Sequence, residues 1–190
     1  MKKSELRQQY LARRAALSET DYRRQSQQVV EQLFAAYSFN QFSTVHCFLP
    51  STRQREVDTW PIIRRLWTLP STQILVPRCV AETMTLTHHE LTPNTTLENN
   101  RWGIPEPIGS PSHSPQEVDV VLVPLLAFDQ RGHRVGYGKG FYDNFLRECR
   151  ANTLKIGLSL FPPVKQIEDT FAGDMVLDAV VMTKEVWRCC

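Results

Sequence analysis

The sequence lacks any hydrophobic run long enough to cross a bilayer. Its most apolar stretches, residues 120–123 and 125–128, are separated by Pro124, whereas a membrane-spanning helix needs about 20 consecutive apolar residues. The charged first residues are followed by no apolar segment of the kind that a secretory signal carries. These absences predict a protein that has no membrane partner and is located in the cytoplasm.

Cysteine is sparse, and no two cysteines have the spacing of a metal-binding or redox motif. The five cysteines are odd in number and scattered: Cys47, Cys79, Cys149, Cys189 and Cys190. No C-x-x-C pair occurs, and the five histidines show no convincing metal-ligand spacing either. We therefore expect reduced thiols, as in other cytoplasmic proteins.

A strong charge of one sign is also missing. The chain has 22 Lys and Arg against 20 Asp and Glu, a net charge of +2, with the excess of positive charge in the first 24 residues. A nucleic-acid-binding domain would be more basic and would interleave aromatic residues with its charges. The basic start is thus interpreted first as a solvated helix face, and no nucleic-acid partner is expected. The length of 190 residues suits one domain, residues 1–190.

Helical and strand patterns indicate an α/β fold. Apolar spacing predicts helices at residues 2–16, 19–37, 60–67 and 141–150, with Ser18 as the N-cap of the second. β-rich runs predict strands at residues 44–49, 73–77, 84–91, 118–124, 155–160 and 176–182. Strands that alternate with helices predict a three-layer α/β/α sandwich around a mostly parallel sheet, with 118–124 at its centre. Residues 92–116 hold five of the twelve prolines and predict an irregular loop.

Glycine, at only eight residues, is concentrated at one place. Four of the eight lie within residues 132–140, between the most apolar strand and a predicted helix. Alternating glycines let backbone N–H groups approach an anion, and a helix N-terminus adds partial positive charge. Arg134 and Lys139 bring full positive charges to the same segment. It therefore predicts a phosphate-binding loop, although it matches neither the Walker A pattern nor the dinucleotide-binding G-x-G-x-x-G pattern.

Residues 124–143, PLLAFDQRGHRVGYGKGFYD, resemble a pattern of the 5-formyltetrahydrofolate cyclo-ligase family, also called methenyltetrahydrofolate synthetases. The family pattern is P-x-x-a-F-D-x-x-G-x-R-L-G-x-G-x-G-[FY]-Y-D, from which only Val135 departs. Four shorter matches occur in the family's order: Lys3-x-x-Leu6-Arg7, Glu56-Val57-Asp58-Thr59, residues 102–107 and Asp174-x-x-x-Asp178. The resemblance spans residues 3–187.

The resemblance implies a Rossmann-like sandwich that acts on small molecules, and we expect a monomer. It implies ATP-dependent closure of 5-formyltetrahydrofolate to 5,10-methenyltetrahydrofolate, with release of ADP and phosphate through a phosphorylated formyl group. Mg²⁺ is the implied cofactor. Two alternatives stay open: a non-catalytic nucleotide- or phosphate-binding regulatory domain, and an enzyme related to sugar-phosphate isomerases or CoA-transferases.

The resemblance also implies roles for residues of this sequence. Lys139 and Arg134 are the implied catalytic residues, and Asp143 and Asp174 the implied Mg²⁺ ligands. The ATP-binding positions are Lys3, Ser4, Glu5, Leu6, Arg7, Arg134, Val135, Gly136, Tyr137, Gly138, Lys139, Gly140, Phe141 and Tyr142. The folate-binding positions are Leu49, Glu56, Trp102, Tyr137, Gly138, Lys139, Gly140 and Phe141. Hard carboxylate oxygens suit a hard cation such as Mg²⁺.

Overall fold

The computed structural model describes residues 1–189, and Cys190, one of the five cysteines expected to be reduced, lies outside them. The four α-helices of this part are α1 (Lys3–Ala15), α2 (Glu19–Ala36), α3 (Trp60–Leu66) and α4 (Phe141–Glu148). Its first six strands are β1 (Thr44–Cys47), β2 (Gln73–Val80), β3 (Thr85–Glu90), β4 (Thr96–Asn99), β5 (Pro105–Ile108) and β6 (Ser112–His113). The other six are β7 (Val120–Pro124), β8 (Ala127–Phe128), β9 (Arg134–Val135), β10 (Leu154–Leu158), β11 (Ala179–Val181) and β12 (Val186–Arg188).

Eight of these strands form one sheet in the order β12-β11-β10-β7-β1-β2-β3-β6. The five consecutive strands from β11 to β2 are parallel, and β12, β3 and β6 join the two edges in antiparallel pairing. Strand β7 lies in the middle, and Val120 to Val123 are 0% exposed. The predicted parallel sheet and its central strand are confirmed, whereas the edge strand β12 was not predicted.

The helices cover both faces of the sheet. Residues of α1, α2 and α3 pack in one buried cluster with alternate residues of the strands, such as Val120 and Leu122. Phe145 and Leu146 of α4 pack on the opposite face with Val121 and Val123. The predicted three-layer sandwich is therefore confirmed. None of the helices within residues 1–189 is both long and apolar enough to span a membrane.

Local signals explain how the second helix begins and what it buries. Ser18 caps α2, and its side chain accepts a hydrogen bond from the backbone N–H of Asp21 at 3.0 Å. Val29, Val30 and Leu33 are buried, as their spacing predicts. Phe34, which follows Leu33, is only partly buried and packs near the end of α2 against Phe39 and under Arg65.

The prediction of an irregular loop at residues 92–116 is wrong. Strands β4 and β5 of this segment form an antiparallel hairpin, and β6 joins the main sheet beside β3. Pro105 and Pro107 alternate along β5, opposite Asn99 and Leu97. A proline has no N–H to donate, so it is tolerated in a two-stranded hairpin only where that position needs no donor. The prolines disguised a short strand as a loop.

Candidate active site

The glycine loop, defined here as residues 136–140, lies at the carboxyl end of the central strand. The chain leaves β7, forms the β8–β9 hairpin and returns beside its starting point, where the N–H of Leu126 donates to the carbonyl of Val135 at 2.7 Å. The loop then leads into α4, whose N-cap is Gly140 with φ +74°. Ligands of parallel α/β sheets bind at this edge. The fold thus places the predicted phosphate loop where such a ligand would bind.

Helix α1 contacts the glycine loop through Arg7. The Nε of Arg7 donates to the carbonyl of Gly136 at 2.9 Å. At Gly138, where φ is +83°, an added Cβ would lie 3.1 Å from the guanidinium carbon of Arg7. Gly138 therefore needs to be glycine for two reasons, its left-handed backbone and the close guanidinium. The two separate motifs of the sequence, near residues 3–7 and 136–140, meet in space.

Lys139 projects from this loop into solvent. It is exposed, and within residues 1–189 it has no hydrogen-bond or ion-pair partner. Its neighbours Gly138 and Gly140 both have positive φ angles. A long cation at such a position has no core to pack against and is available to a ligand. The predicted catalytic role agrees with this placement but is not tested by it.

Each of the two carboxylates expected to bind Mg²⁺ forms an ion pair with a basic side chain. Asp174 accepts Nζ of Lys3 at 2.6 and 2.5 Å through its two oxygens. Asp143 accepts NH2 of Arg134 and the N–H of Met175 at 2.9 and 3.1 Å. Burial lowers the pKa of the Arg134 guanidinium, and the adjacent Asp143 opposes that shift. The two carboxylates are therefore close together, because Asp143 is hydrogen-bonded to Met175, the residue that follows Asp174.

This pair of carboxylates fits a Mg²⁺ ion that is shared with a phosphate. No group of three or more His, Cys, Asp or Glu residues in the described part of the chain could by itself hold a metal. Mg²⁺ is commonly held by one or two protein carboxylates, with phosphate oxygens and waters completing its octahedron. Asp143 and Asp174 supply oxygen donors of that type beside the glycine loop. The donor set therefore fits Mg²⁺ bound with a nucleotide.

Glu56 forms a buried carboxylate at the end of a tight turn after β1. It is 5% exposed, and its Oε2 accepts the N–H of Ser51 at 2.7 Å. Burial raises its pKa, while the Ser51 N–H, the charge of Arg14 and a hydrogen bond from Tyr137 lower it. The Tyr22 hydroxyl donates to the carbonyl of Glu56 at 2.7 Å and fixes the backbone. Glu56 is therefore a preorganised acceptor close to the glycine loop.

Tyr142 lies between the Glu56 turn and the end of β2. Its hydroxyl is buried and has no hydrogen-bond partner among the described residues. Burial raises its pKa well above the ordinary value, and Cys47, Glu56 and Cys79 raise it further. Such a neutral hydroxyl is a donor and acceptor that only an incoming ligand or water would satisfy.

The remaining predicted folate positions, Leu49 and Trp102, follow β1 and β2 in other parts of the structure. Trp102 is 36% exposed on the β4–β5 hairpin and lines a cavity of about 250 Å³ beside the end of β2. That hairpin is held by Glu106, which accepts the N–H of Cys79 at 2.9 Å. Leu49 is 3% exposed and belongs to the core. Neither Leu49 nor any residue of the glycine loop lines the Trp102 cavity.

The structure separates side chains that can face a ligand from those that cannot. Leu6 and Val135 are both 0% exposed and pack in the core, so only their backbones are available. Ser4 and Glu5 are exposed at the start of α1, and Glu5 accepts the N–H of Lys2. Phe141 is partly buried at the start of α4. Their proposed binding roles stay predictions.

Sequence reasoning missed Arg14. The basic start was interpreted as a solvated face, but the Arg14 side chain is 2% exposed. Its NH1 donates to the Tyr137 hydroxyl at 2.9 Å, and its NH2 donates to the carbonyl of Leu125. The signal in the sequence was its position, four residues after Tyr10 and eight after Leu6, on the apolar face of α1.

Comparisons with known proteins agree with this architecture. The model of the 5-formyltetrahydrofolate cyclo-ligase family matches residues 1–168. The protein named 5-formyltetrahydrofolate cyclo-ligase of Escherichia coli (strain K12) is 30% identical over 185 residues, 93% of this chain and 97% of that protein. A probable 5-formyltetrahydrofolate cyclo-ligase of Schizosaccharomyces pombe is 31% identical over 131 residues, which cover 60% of this chain and 63% of that protein.

Solved structures give the same result. The NMR structure of Aquifex aeolicus 5,10-methenyltetrahydrofolate synthetase has a TM-score of 0.83 and 31% identity, and the match covers 100% of this chain and 93% of that chain. The 5,10-methenyltetrahydrofolate synthetase of Mycoplasma pneumoniae, at 22% identity and a TM-score of 0.78, shares the fold. On the strength of the family model and of these relatives, this chain belongs to the 5-formyltetrahydrofolate cyclo-ligase family.

Proposed function

We propose that this protein uses ATP and Mg²⁺ to convert 5-formyltetrahydrofolate to 5,10-methenyltetrahydrofolate, with release of ADP and phosphate. One observation carries the proposal. Cations from α1 and the glycine loop, the Asp143 and Asp174 carboxylates, and the buried Glu56 meet at the carboxyl edge of one sheet. The names of the relatives support the substrate and the product.

The reaction needs ATP because the formyl oxygen is a poor leaving group. The formyl oxygen attacks the γ-phosphorus of ATP, and the bond to ADP breaks. N10 of the folate then adds to the activated formyl carbon and loses its proton to solvent. The C–O bond breaks last, phosphate departs, and the five-membered ring keeps the new C–N bond. Phosphoryl transfer of this kind depends on positioning and charge neutralisation more than on covalent help from the protein.

The residues around the glycine loop have the charges that such a transfer requires. Lys139 would contact the γ-phosphate, while Arg7 and Lys3 would hold the phosphates from α1. Backbone N–H groups of residues 136–140 would surround them, as glycine permits. Asp143 and Asp174 would hold Mg²⁺, which neutralises phosphate charge and orients the transferred group when it is bound.

The folate side of the proposal rests on Glu56 and Trp102. A carboxylate can accept two hydrogen bonds at once from adjacent N–H groups, such as those of a pterin. Trp102 offers an exposed aromatic surface on the β4–β5 hairpin that would cover the pterin ring. Tyr142, whose hydroxyl is without a partner among residues 1–189, lies between these two elements.

The proposed activity has a direct test. Protein, ATP, Mg²⁺ and 5-formyltetrahydrofolate are mixed, and the absorbance of the methenyl product and the release of ADP are followed together. We expect both to rise in parallel, and neither to rise when any one component is omitted. A binding module or an isomerase would release no folate-dependent ADP, so its absence would contradict the proposal in favour of one of the two alternatives.

Asp174→Asn is expected to raise the Mg²⁺ concentration needed for half-maximal activity by about tenfold. Loss of one anionic ligand weakens a hard-cation site, and waters replace it only in part. A magnesium titration at saturating ATP measures the effect. Asp178→Asn is the matched control, because Asp178 pairs with Lys155 at 2.9 Å and not with Lys3. If wild type and Asp174→Asn have the same magnesium titration, Asp174 does not bind Mg²⁺ and only pairs with Lys3.

Gly138→Ala is expected to raise KM for ATP by about tenfold. An L-residue in the left-handed region costs about 1–2 kcal/mol, and the added Cβ would push the Arg7 guanidinium, 3.1 Å away. Gly109→Ala is the control, since its φ is also positive, at +69°, and a Cβ there meets nothing within 4 Å. If the two variants have the same KM for ATP, the contact between Arg7 and the loop is unimportant for nucleotide binding.

The proposal includes the quaternary state and location of the protein. We propose that residues 1–190 act as one domain and as a monomer in the cytoplasm. The described cysteines Cys47, Cys79 and Cys149 are free thiols, and burial raises the pKa of Cys47 to about 12. Sedimentation of the purified protein tests the monomer, and a dimer would contradict it.

A further inference from the structure

Arg14 is a buried cation whose position links three parts of the candidate site. It lies on α1 with 2% of its surface exposed, on the same helix face as the core residues Leu6 and Tyr10. A buried guanidinium is costly unless its donors and its charge are matched by partners. Its two terminal nitrogens donate to the Tyr137 hydroxyl and to the carbonyl of Leu125, while its buried Nε has no partner among the described residues. Leu125 directly follows β7, so Arg14 fixes α1 to the end of the central strand.

Tyr137 continues this connection to the folate side. Its hydroxyl accepts from NH1 of Arg14 at 2.9 Å and faces the Glu56 carboxylate, whose pKa it lowers. Tyr137 is also the second residue of the glycine loop. The Arg14, Tyr137 and Glu56 side chains therefore form one chain of neighbouring polar groups. It joins the helix that holds Arg7, the predicted phosphate loop, and the predicted pterin acceptor.

The charge at Glu56 depends on this chain. The titratable groups that face Glu56 are Arg14 from α1, Tyr22 from α2, Tyr137 from the glycine loop and Tyr142 from α4. Only Arg14 among these carries a positive charge. Burial raises the pKa of Glu56, and Arg14 and Tyr137 act against burial together with the Ser51 N–H. Without Arg14, Glu56 would take up a proton at a higher pH.

We infer that Arg14 is a positioning residue for folate binding, which holds Glu56 as a carboxylate and seats Tyr137 against it. This inference rests on the proposed function, because it assigns a supporting residue to the proposed folate site. A protonated Glu56 has a donor where the pterin needs an acceptor. Arg14 thus controls folate affinity without touching the folate.

The test compares Arg14→Met with Arg14→Lys and with Arg13→Met. Met keeps much of the length and apolar contact of the Arg14 side chain but has no charge. Lys restores the charge without the paired donors. Arg13 is the matched control, because it is an adjacent exposed arginine that packs over Tyr10 and Phe161 instead of bonding to Tyr137. KM for 5-formyltetrahydrofolate and KM for ATP are measured from ADP release as a function of pH.

Arg14→Met is expected to raise KM for the folate by about tenfold or more near neutral pH. The pH below which folate affinity is lost should move upward, because ionised Glu56 is the binding form and its pKa rises. At pH values above the shifted pKa of Glu56, KM for the folate should return toward the wild-type value. In Arg14→Lys, the pH below which folate affinity is lost should move back toward the wild-type value. Arg13→Met should have the same pH profile of folate KM as wild type. KM for ATP should change by less than about threefold.

Several outcomes would overturn the inference. An Arg14→Met variant whose folate KM is unchanged, or is raised equally at every pH, would show that Arg14 has no effect on Glu56 ionisation. If Arg14→Met does not fold, Tyr137→Phe decides, and an unshifted pH profile of folate KM in that variant would overturn the inference. A wild-type protein that forms no methenyl product would instead contradict the proposed function, so the two failures are distinguishable.

Discussion

Lys139→Met is expected to lower kcat by about 100-fold or more, the effect of losing one preorganised electrostatic group in other active sites. Lys139 projects from the glycine loop without a partner in residues 1–189, so its charge is free to stabilise the γ-phosphate as it is transferred. Met has a similar length and no charge. Single-turnover and steady-state kinetics with both substrates saturating would measure the loss.

The stability of the same variant separates chemistry from folding. Lys139 is exposed and fills no cavity, so the free energy of unfolding should change by less than about 0.5 kcal/mol. Lys184→Met, in the exposed turn between β11 and β12, is the control for loss of one surface lysine. If kcat is unchanged in Lys139→Met, Lys139 has no catalytic role and the glycine loop serves only as a structural turn. A collapsed denaturant melt would remove the argument that the residue acts only on the reaction.

Glu56→Gln is expected to raise KM for 5-formyltetrahydrofolate by roughly 10- to 100-fold while KM for ATP changes little. The amide oxygen can still accept the Ser51 N–H, but the second acceptor becomes a donor that opposes the pterin. Charge-assisted hydrogen bonds of this type contribute about 1.5–3 kcal/mol each. Initial rates with each substrate varied in turn measure the two constants. Equal losses for both substrates would contradict a folate-binding role.

The pH dependence of stability gives an independent check on Glu56. Its pKa in the folded protein is raised, chiefly by burial, so the folded state binds its proton more tightly than the unfolded state does. The ionised carboxylate therefore lowers stability as pH rises through the unfolded and then the folded pKa. Glu56→Gln removes that penalty, and at pH 7 its free energy of unfolding should equal or exceed that of wild type. A strongly destabilised variant would mean that the charge is needed for folding.

The central sheet could be predicted from sequence because its strongest strand is apolar on both faces. Residues 120–123 are all valine or leucine, and a strand with no polar alternation is buried between two layers of helices. The β4–β5 hairpin could not be predicted in the same way. Its alternation is interrupted by Pro105 and Pro107, and its docking depends on Glu106, which bonds to Cys79 from a distant strand.

The candidate site was predictable where several functional residues share a short segment, and not where one residue acts alone across the fold. The glycine loop can be recognised in the sequence because half of the glycines lie within residues 132–140. Arg14 is one arginine among several, and its burial depends on Tyr137, 123 residues away. Another contact that the sequence does not indicate joins His46 and His88, to which no role in the site is assigned. Their ring nitrogens lie 3.2 Å apart on strands separated by β2. The burial of His88 lowers its pKa to about 4, and no local spacing indicates that pairing.

The ion pair between Lys3 and Asp174 determines when the site can assemble on a growing chain. The two residues are 171 positions apart, so α1 must wait for a segment that is made much later before this pair can form. The apolar face of α1 with Leu6 and Tyr10 can be covered earlier, because it packs in one cluster with residues of β1, β2 and β7. Contacts of such long range slow folding. The packing of α1 can therefore form before its ion pair, and the charged edge of the candidate site is completed among the last parts of the fold.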